Sequence, residues 1–333
     1  RAQEAVEAAA VHAEQADLFG AVVHVAEVFQ YASMAVQLLA NALHAQLTAL
    51  QQLLFQMALD ALHQVDALGV QLEPQLAQLW VEPGAGSDLK GIRTRAVREG
   101  DEYVVNGSKI FITNGSIATI LMLVVRTDPG DRSRGLSILM VETENLPGYR
   151  VGRVLDKMGM HAQDTAELFF EDVRVPAGNL LGEENLGMRY LMQELAQERF
   201  VIAVGAAAKM EAMYDETVRY TRERMVFGKP LIDFQNTRFK LAEIKTRTTA
   251  VRMMVDQYLA EHLRRKLTVQ EGAMAKLFAT EELGKALDEL LQLYGGYGYM
   301  MEYPITRAFV DSRVTRIYGG TSEVMKELIS RSL

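Results

Sequence analysis

Between Val81 and Gly115 the chain has to abandon the helix. Pro83, Gly84 and Gly86 stand too close together for a helical turn, and Ser87-Asp88 adds a turn signal of its own. A loop this rich in glycine exposes backbone N–H groups. Together with the Ser87 hydroxyl it has the donors to bind a phosphate or the edge of a cofactor. Two familiar phosphate loops are excluded. The third glycine of G-x-G-x-x-G would fall at Leu89, with no βαβ unit around it. The P-loop spacing from Gly86 to Gly91 ends on Ile92, where a lysine is required. A plain strand-connecting loop is the alternative at this point. After the loop, Tyr103-Val104-Val105 and Lys109-Ile110-Phe111-Ile112-Thr113 are rich in β-formers, and Asn106-Gly107 between them predicts a hairpin turn.

A chain of 333 residues can bury a large core in two or three structural units. With 0 cysteines there is no disulfide framework, thiolate ligand or cysteine nucleophile. The net charge of -8, without a basic cluster, argues against nucleic acid as a partner. No apolar run reaches membrane-spanning length, and no basic segment precedes an apolar one at the start. The sequence reads as a soluble, intracellular protein.

Residues 1–77 are rich in Ala, Leu, Gln and Val and have few helix breakers, which predicts an N-terminal helical domain. His12, His24, His44 and His63 lie there at spacings that fit no metal motif, so no metal site is expected. Over 78–182 the pattern turns to short apolar runs separated by Asp, Gly and Pro, as in Ile120–Val125, Gly135–Val141 and Glu167–Phe170. A compact antiparallel barrel or sandwich fits. From 183 to 333 the apolar positions recur at helical spacing, with long segments near 186–223, 232–264, 268–293 and 319–332. Long helices with short connections make a bundle.

The loop Pro83-Gly84-x-Gly86-Ser87-Asp88 and the run Asn106-Gly107-x-Lys109-x-Phe111-Ile112-Thr113-Asn114-Gly115 resemble the flavin-binding middle domain of the acyl-CoA dehydrogenases. Arg224-Met225-Val226-Phe227-Gly228-Lys229-Pro230 with Gln235, Gln292-Leu293-Tyr294-Gly295-Gly296-Tyr297-Gly298, Asp311-Ser312-Arg313 and Ile317-Tyr318-Gly319-Gly320-Thr321-Ser322-Glu323 continue the likeness in family order. It covers about residues 80–333, is closest to the long-chain branch and leaves residues 1–77 unmatched. The resemblance implies an α+β protein: an N-terminal helical domain, a middle antiparallel β-barrel domain and a C-terminal helical bundle. It implies FAD as cofactor, acyl-CoA as substrate and an electron-transfer flavoprotein as acceptor. A homo-oligomer is implied too, a tetramer built as a dimer of dimers, in the cytoplasm of a bacterium or the mitochondrial matrix of a eukaryote.

The same resemblance implies roles for particular residues. Ser87 would meet the pyrophosphate, while Phe111, Ile112 and Thr113 would lie along the flavin. Arg224, Phe227 and Gln235 belong to the motif that reaches a neighbouring subunit's FAD. Gln292 and Gly296 would lie on the adenine side, and Thr321 and Glu323 on the ribityl and phosphate side. Val81 stands where the family commonly carries a flavin-bonding threonine. Dehydrogenation at Cα and Cβ needs a base for the α-proton, and a carboxylate serves only where desolvation raises its pKa. Many family members place that base directly after the tyrosine of the last motif, but here the position is Gly319. The long-chain and isovaleryl branches use the first helix after the barrel, where Glu198 is the match and Glu194 the weaker candidate. Gly319 would then keep only its backbone N–H as a donor to the substrate carbonyl. The competing readings are an acyl-CoA oxidase and a flavin-loaded scaffold without catalysis.

Overall fold

The computed structural model describes residues 76–131 and 135–333, so the helical domain expected over 1–77, with His12, His24, His44 and His63, lies outside the described residues apart from its last two positions. Those two open a strand. The described residues belong to two units, one holding 76–156 with 161–191 and the other 157–160 with 192–333.

The first unit is a seven-stranded sheet. Its strands are β1 (Leu76–Leu79), β2 (Arg95–Glu99), β3 (Glu102–Thr113), β4 (Ile120–Arg126), β5 (Leu136–Glu142), β6 (Tyr149–Val154) and β7 (Thr165–Pro176). The order runs β1-β4-β2-β3-β7-β6, with β5 on the other edge of β4. The expected antiparallel pairing is seen for four of the strand pairs and not for two others. β1 pairs with β4 in parallel, and β2 meets the end of β4 through one parallel bridge at Arg95 and Arg126. Parallel pairing is possible because a long connection, not a hairpin, carries the chain from β1 to its partner. Alternate residues of β3, β4 and β7 (Tyr103, Val105, Leu121, Leu123, Val125, Leu168, Phe170, Val173 and Val175) fill one apolar core.

Asn106-Gly107 is not a hairpin turn. It lies inside the twelve-residue strand β3, where the register against β7 slips between Val105 and Gly107. The chain turns instead at Gly100-Asp101, between Glu99 and Glu102. Gly107 is needed for a different reason: a Cβ there would sit 2.7 Å from the Thr94 backbone. Glycine inside a strand marks a bulge or a close approach as readily as a turn, and here tertiary contact decides between them.

The second unit is helical. Its long helices are α1 (Gly187–Glu223, entering from the first unit), α2 (Gln235–Leu263) and α3 (Val269–Tyr294), followed by α4 (Pro304–Ser312) and α5 (Ser322–Ser330). Between α1 and α2 sit the short strands β8 (Met225–Val226) and β9 (Lys229–Pro230). Ala196, Phe200, Ala203, Ala207, Met210, Thr217 and Thr221 make a buried stripe three, four or seven residues apart along α1. On α2 the stripe is Leu241, Ile244, Thr248, Val251, Val255 and Leu259. Helix α3 is buried on more than one face, from Gly272 to Tyr294, so it sits centrally in the bundle. Thr268 and Glu271 start it with reciprocal hydrogen bonds that satisfy two orphan N–H groups. Pro304 at the first turn of α4 is tolerated because its missing N–H would have had no helical partner. Among the described residues, no helix is long and apolar enough to cross a membrane.

Candidate functional site

In the sheet unit, a buried ion pair holds the glycine-rich loop in place. Lys109 Nζ lies 2.8 Å from Glu82 Oε1, and both side chains are almost fully enclosed. The Glu82 carboxylate also accepts from the backbone N–H groups of Arg93 (2.6 Å) and Thr94 (3.0 Å). Burial pushes the Glu82 carboxyl up, but the Lys109 charge and these hydrogen bonds outweigh it and leave its pKa below the ordinary 4.5. Burial pulls Lys109 down to about 8 against the opposing pull of Glu82. Glu82 and Ala85 exchange backbone hydrogen bonds across a tight turn, and Ile110 N–H donates to Val81 O at 3.0 Å. The Val81 backbone is thus in use even though it offers no hydroxyl.

This arrangement leaves Ser87 exposed on the loop and Phe111 and Thr113 exposed on β3, while Ile112 is 2% exposed and belongs to the core. Any role of Ile112 beside a ligand therefore falls to its backbone. Strand alternation requires it: neighbours in a strand point to opposite faces. Phe111 is 62% exposed at a φ of 59°, a conformation that costs an aromatic residue energy. Strain with an exposed ring has the character of a ligand platform, not of a packing residue.

Lys109→Met is expected to destabilise the sheet unit by about 3–5 kcal/mol, because it leaves the Glu82 charge buried without its counter-ion. The Glu82 contribution holds above pH 4.5 and is lost as pH falls through its depressed folded-state pKa. Thermal unfolding checks this, and adding Glu82→Gln should recover part of the loss. A Lys109→Met melting temperature equal to wild type would rule the clamp out.

In the helical unit, β8 and β9 form a hairpin whose turn is Phe227-Gly228, both at positive φ (50° and 81°). Phe227 is 93% exposed, so the turn pays for no packing of its own. Beside it lies a cleft of about 560 Å³ lined by Tyr220, Arg224, Val226, Leu231, Gln292, Leu293, Tyr294, Gly295, Gly296, Tyr297 and Met300. Tyr220 stacks on Tyr294 with centroids 4.0 Å apart, and the Arg224 guanidinium sits 5.3 Å over the Tyr297 ring. The cleft thus brings together Arg224, Gln292 and Gly296, three of the residues expected from sequence. Gln235, the first residue of α2, is exposed and does not line it. Tyr294 and Tyr297 belong to the motif run from Gln292 to Gly298, but the wall they form with Tyr220, far earlier in the chain, leaves no periodic signal in the sequence.

A second cluster joins α1, α3 and the turn before α5. Gly319 and Gly320 both have left-handed backbones, with φ of 62° and 95°. Arg199, buried, donates from Nε to the Gly319 carbonyl at 3.2 Å. Lys276, also buried, donates from Nζ to the Gly320 carbonyl. Glu198 precedes Arg199 and keeps an edge open to solvent, yet burial of its carboxyl pushes the pKa up to about 7. The Glu194 charge one helical turn earlier raises it further, and Arg199 opposes. A carboxyl poised near neutrality can take a proton from a weak carbon acid. Thr321 caps α5 by accepting from Val324 N–H at 3.3 Å, and Glu323 lies exposed in the first turn of that helix. Among the described residues, no group of three His, Cys, Asp or Glu could hold a metal ion.

Each unit holds groups of the kind that a dinucleotide with a flat ring requires. In the sheet unit the strained, exposed Phe111 offers a ring face; in the helical unit, taken by itself, the cleft offers a guanidinium, an amide and glycine N–H groups suited to anionic and heteroaromatic parts.

Comparison with known proteins agrees with this chemistry. Residues 77–173 match the family described as "Acyl-CoA dehydrogenase, middle domain", and residues 185–333 match "Acyl-CoA dehydrogenase, C-terminal domain". The chain is 51% identical over 254 residues to the long-chain specific acyl-CoA dehydrogenase of Mus musculus, covering 76% of this chain and 59% of that protein. It is therefore shorter than its curated relatives and spans about three fifths of their length. The crystal structure of an acyl-CoA dehydrogenase from Geobacillus kaustophilus is 48% identical with a TM-score of 0.75, covering 77% of this chain and 68% of that one. A glutaryl-CoA dehydrogenase from Mycobacterium smegmatis, solved in complex with FADH2, is 29% identical with a TM-score of 0.72, covering 77% and 65%. This chain belongs to the acyl-CoA dehydrogenase family.

Proposed function

We propose that the chain is a FAD-dependent acyl-CoA dehydrogenase that converts acyl-CoA thioesters to trans-2-enoyl-CoA and passes the electrons to an electron-transfer flavoprotein. The observation that carries the reading is Glu198, a carboxyl raised to about 7 next to a buried arginine on the Gly319 carbonyl. Glu198 takes the α-proton as the Cα–H bond breaks, and its raised pKa makes it a stronger base than an ordinary carboxylate. FAD, when bound, accepts the hydride that leaves Cβ. The Gly319 N–H donates to the thioester carbonyl, where negative charge develops as the proton leaves.

Ser87, Phe111 and Thr113, with the Ile112 backbone, contribute the sheet unit's contacts to FAD. Arg224, Phe227, Gln235, Gln292, Gly296, Thr321 and Glu323 contribute those of the helical unit. Arg224, Phe227 and Gln235 act on the cofactor of a second copy, in a tetramer built as a dimer of dimers. The chain divides at about 77 and 182 into an N-terminal helical domain, a β-barrel and a helical bundle. An anaerobic titration of the purified protein with acyl-CoAs of graded chain length tests the function. Stoichiometric bleaching of the flavin absorbance is expected; a flavoprotein that binds acyl-CoA and never bleaches would leave only the scaffold reading.

A further inference from the structure

Lys276 is a buried cation that the reaction as derived above does not use. It is 1% exposed, and among the described residues no carboxylate pairs with it. The nearest acidic residue further along α3, Glu281, is taken by Arg316 at 2.7 Å and by the Ser322 hydroxyl at 2.6 Å. Burial and the neighbouring Arg199 charge lower Lys276 to about 8, so it still carries its proton for most of the time at neutral pH. Two like charges enclosed together are unfavourable unless something between them accepts from both. What lies between them is backbone: Arg199 donates to Gly319 O and Lys276 to Gly320 O.

The packing that delivers Lys276 is specific. One turn earlier on the same face of α3, Gly272 approaches α1 so closely that a Cβ would lie 2.7 Å from the Ala196 carbonyl oxygen. Ala196 is itself one turn before Arg199. The close helix approach at Gly272 therefore sets both cations at the same level, under the glycine pair. Gly319 is closed in as well, since a Cβ there would meet Ile202 Cδ1 at 2.7 Å and Lys276 Cε at 3.5 Å. In a planar trans peptide the carbonyl and the N–H point opposite ways. The Gly319 and Gly320 carbonyls belong to the peptides that follow those glycines, whereas the Gly319 N–H belongs to the Tyr318–Gly319 peptide. Cations that hold the two carbonyls therefore fix the backbone of the turn that carries this N–H, without polarising its own peptide. Among the described residues, no hydrogen bond takes the Gly319 N–H, so that donor is free for a ligand.

We propose that Lys276 is a positioning residue for the Gly319 donor: with Arg199 it grips the carbonyls of the Gly319–Gly320 turn, and so aims the N–H that meets the thioester carbonyl. The inference rests on the acyl-CoA dehydrogenation reading. Its chemistry is a contribution to α-deprotonation, separable from hydride transfer. A residue that merely supports the fold would alter stability and leave that step unchanged.

The test uses the FAD-loaded protein and a 3-thiaacyl-CoA, whose α-proton is acidic but whose β-position is sulfur and holds no hydride to transfer. Exchange of the α-hydrogen with D2O then reports α-deprotonation alone, and an equilibrium titration gives the dissociation constant of the analogue. In Lys276→Met we expect exchange to slow about tenfold or more, less than the loss of a direct oxyanion donor, with the dissociation constant changed by less than about threefold. Lys276→Gln, which keeps an N–H donor and loses the charge, should fall between. If Lys276→Met does not fold, Lys276→Gln decides alone: slowed exchange supports the proposal, and a wild-type rate overturns it. Exchange in Lys276→Met at the wild-type rate, whatever its melting temperature, overturns it too. Absence of exchange in the wild-type protein would instead remove the functional reading itself, and the inference with it.

Discussion

Glu198→Gln is expected to retain FAD and bind acyl-CoA while losing flavin reduction by about 10²–10⁴-fold, the usual contribution of a positioned base. The substitution is nearly isosteric and removes a buried charge, so the fold should survive it. Wild-type reduction should fall as pH drops below about 7, because protonating Glu198 occupies the lone pair that takes the α-proton. Glu194→Gln should shift that acid limb to lower pH, since the Glu194 charge helps to hold Glu198 up. Rapid-reaction absorbance under anaerobic conditions measures all of these. A Glu198→Gln enzyme reducing its flavin at near wild-type rate would transfer the role to Glu194 or another group. Family members that place the base after the tyrosine suggest a rescue by Gly319→Glu, but the structure limits it. A side chain there must adopt a φ of 62°, at a cost of about 1–2 kcal/mol, and must displace Ile202 Cδ1. Rescue should therefore be small and accompanied by a lower melting temperature.

The parts of the fold that sequence disclosed are those governed by local periodicity. The helix expected over 186–223 is observed as Gly187–Glu223, and that over 268–293 as Val269–Tyr294, because their apolar stripes and caps are written within a few residues of each other. The last segment was expected from 319 and begins at Ser322, because Gly319 and Gly320 take left-handed φ and Thr321 supplies the cap. Where contact with distant chain decides, sequence was ambiguous or wrong. Asn106-Gly107 has the composition of a hairpin turn, yet the approach of Thr94 makes it a bulge. Of the site, the Arg224, Gln292 and Gly296 group was legible as motif and is gathered in one cleft. Lys276 was invisible: a lysine inside the helical stripe of α3 resembles any solvated lysine until its burial is known.

Arg224→Ala is expected to weaken FAD binding by about tenfold to a hundredfold, since a hydrogen bond to a charged group contributes about 1.5–3 kcal/mol. Arg224 lies on the wall of the cleft, over Tyr297, with its guanidinium exposed and free to meet a phosphate. Met225 and Phe227, next to it in the chain, and Tyr299, Met300 and Met301 are exposed as well, apolar side chains that an interface would take out of water. A second copy of the chain would cover those side chains and bring its own cofactor to Arg224. A ligand that binds only the assembled state stabilises that state by mass action, so losing Arg224 should loosen the oligomer as well as the flavin. Light scattering gives the mass with FAD present and after stripping. The expected wild-type result is a tetramer whose dissociation is promoted by removing FAD and, in Arg224→Ala, occurs at higher protein concentration. A stable monomer that keeps one FAD per chain would show that the site is complete within a single copy, and the assignment of Arg224, Phe227 and Gln235 to a neighbour's cofactor would have to be abandoned.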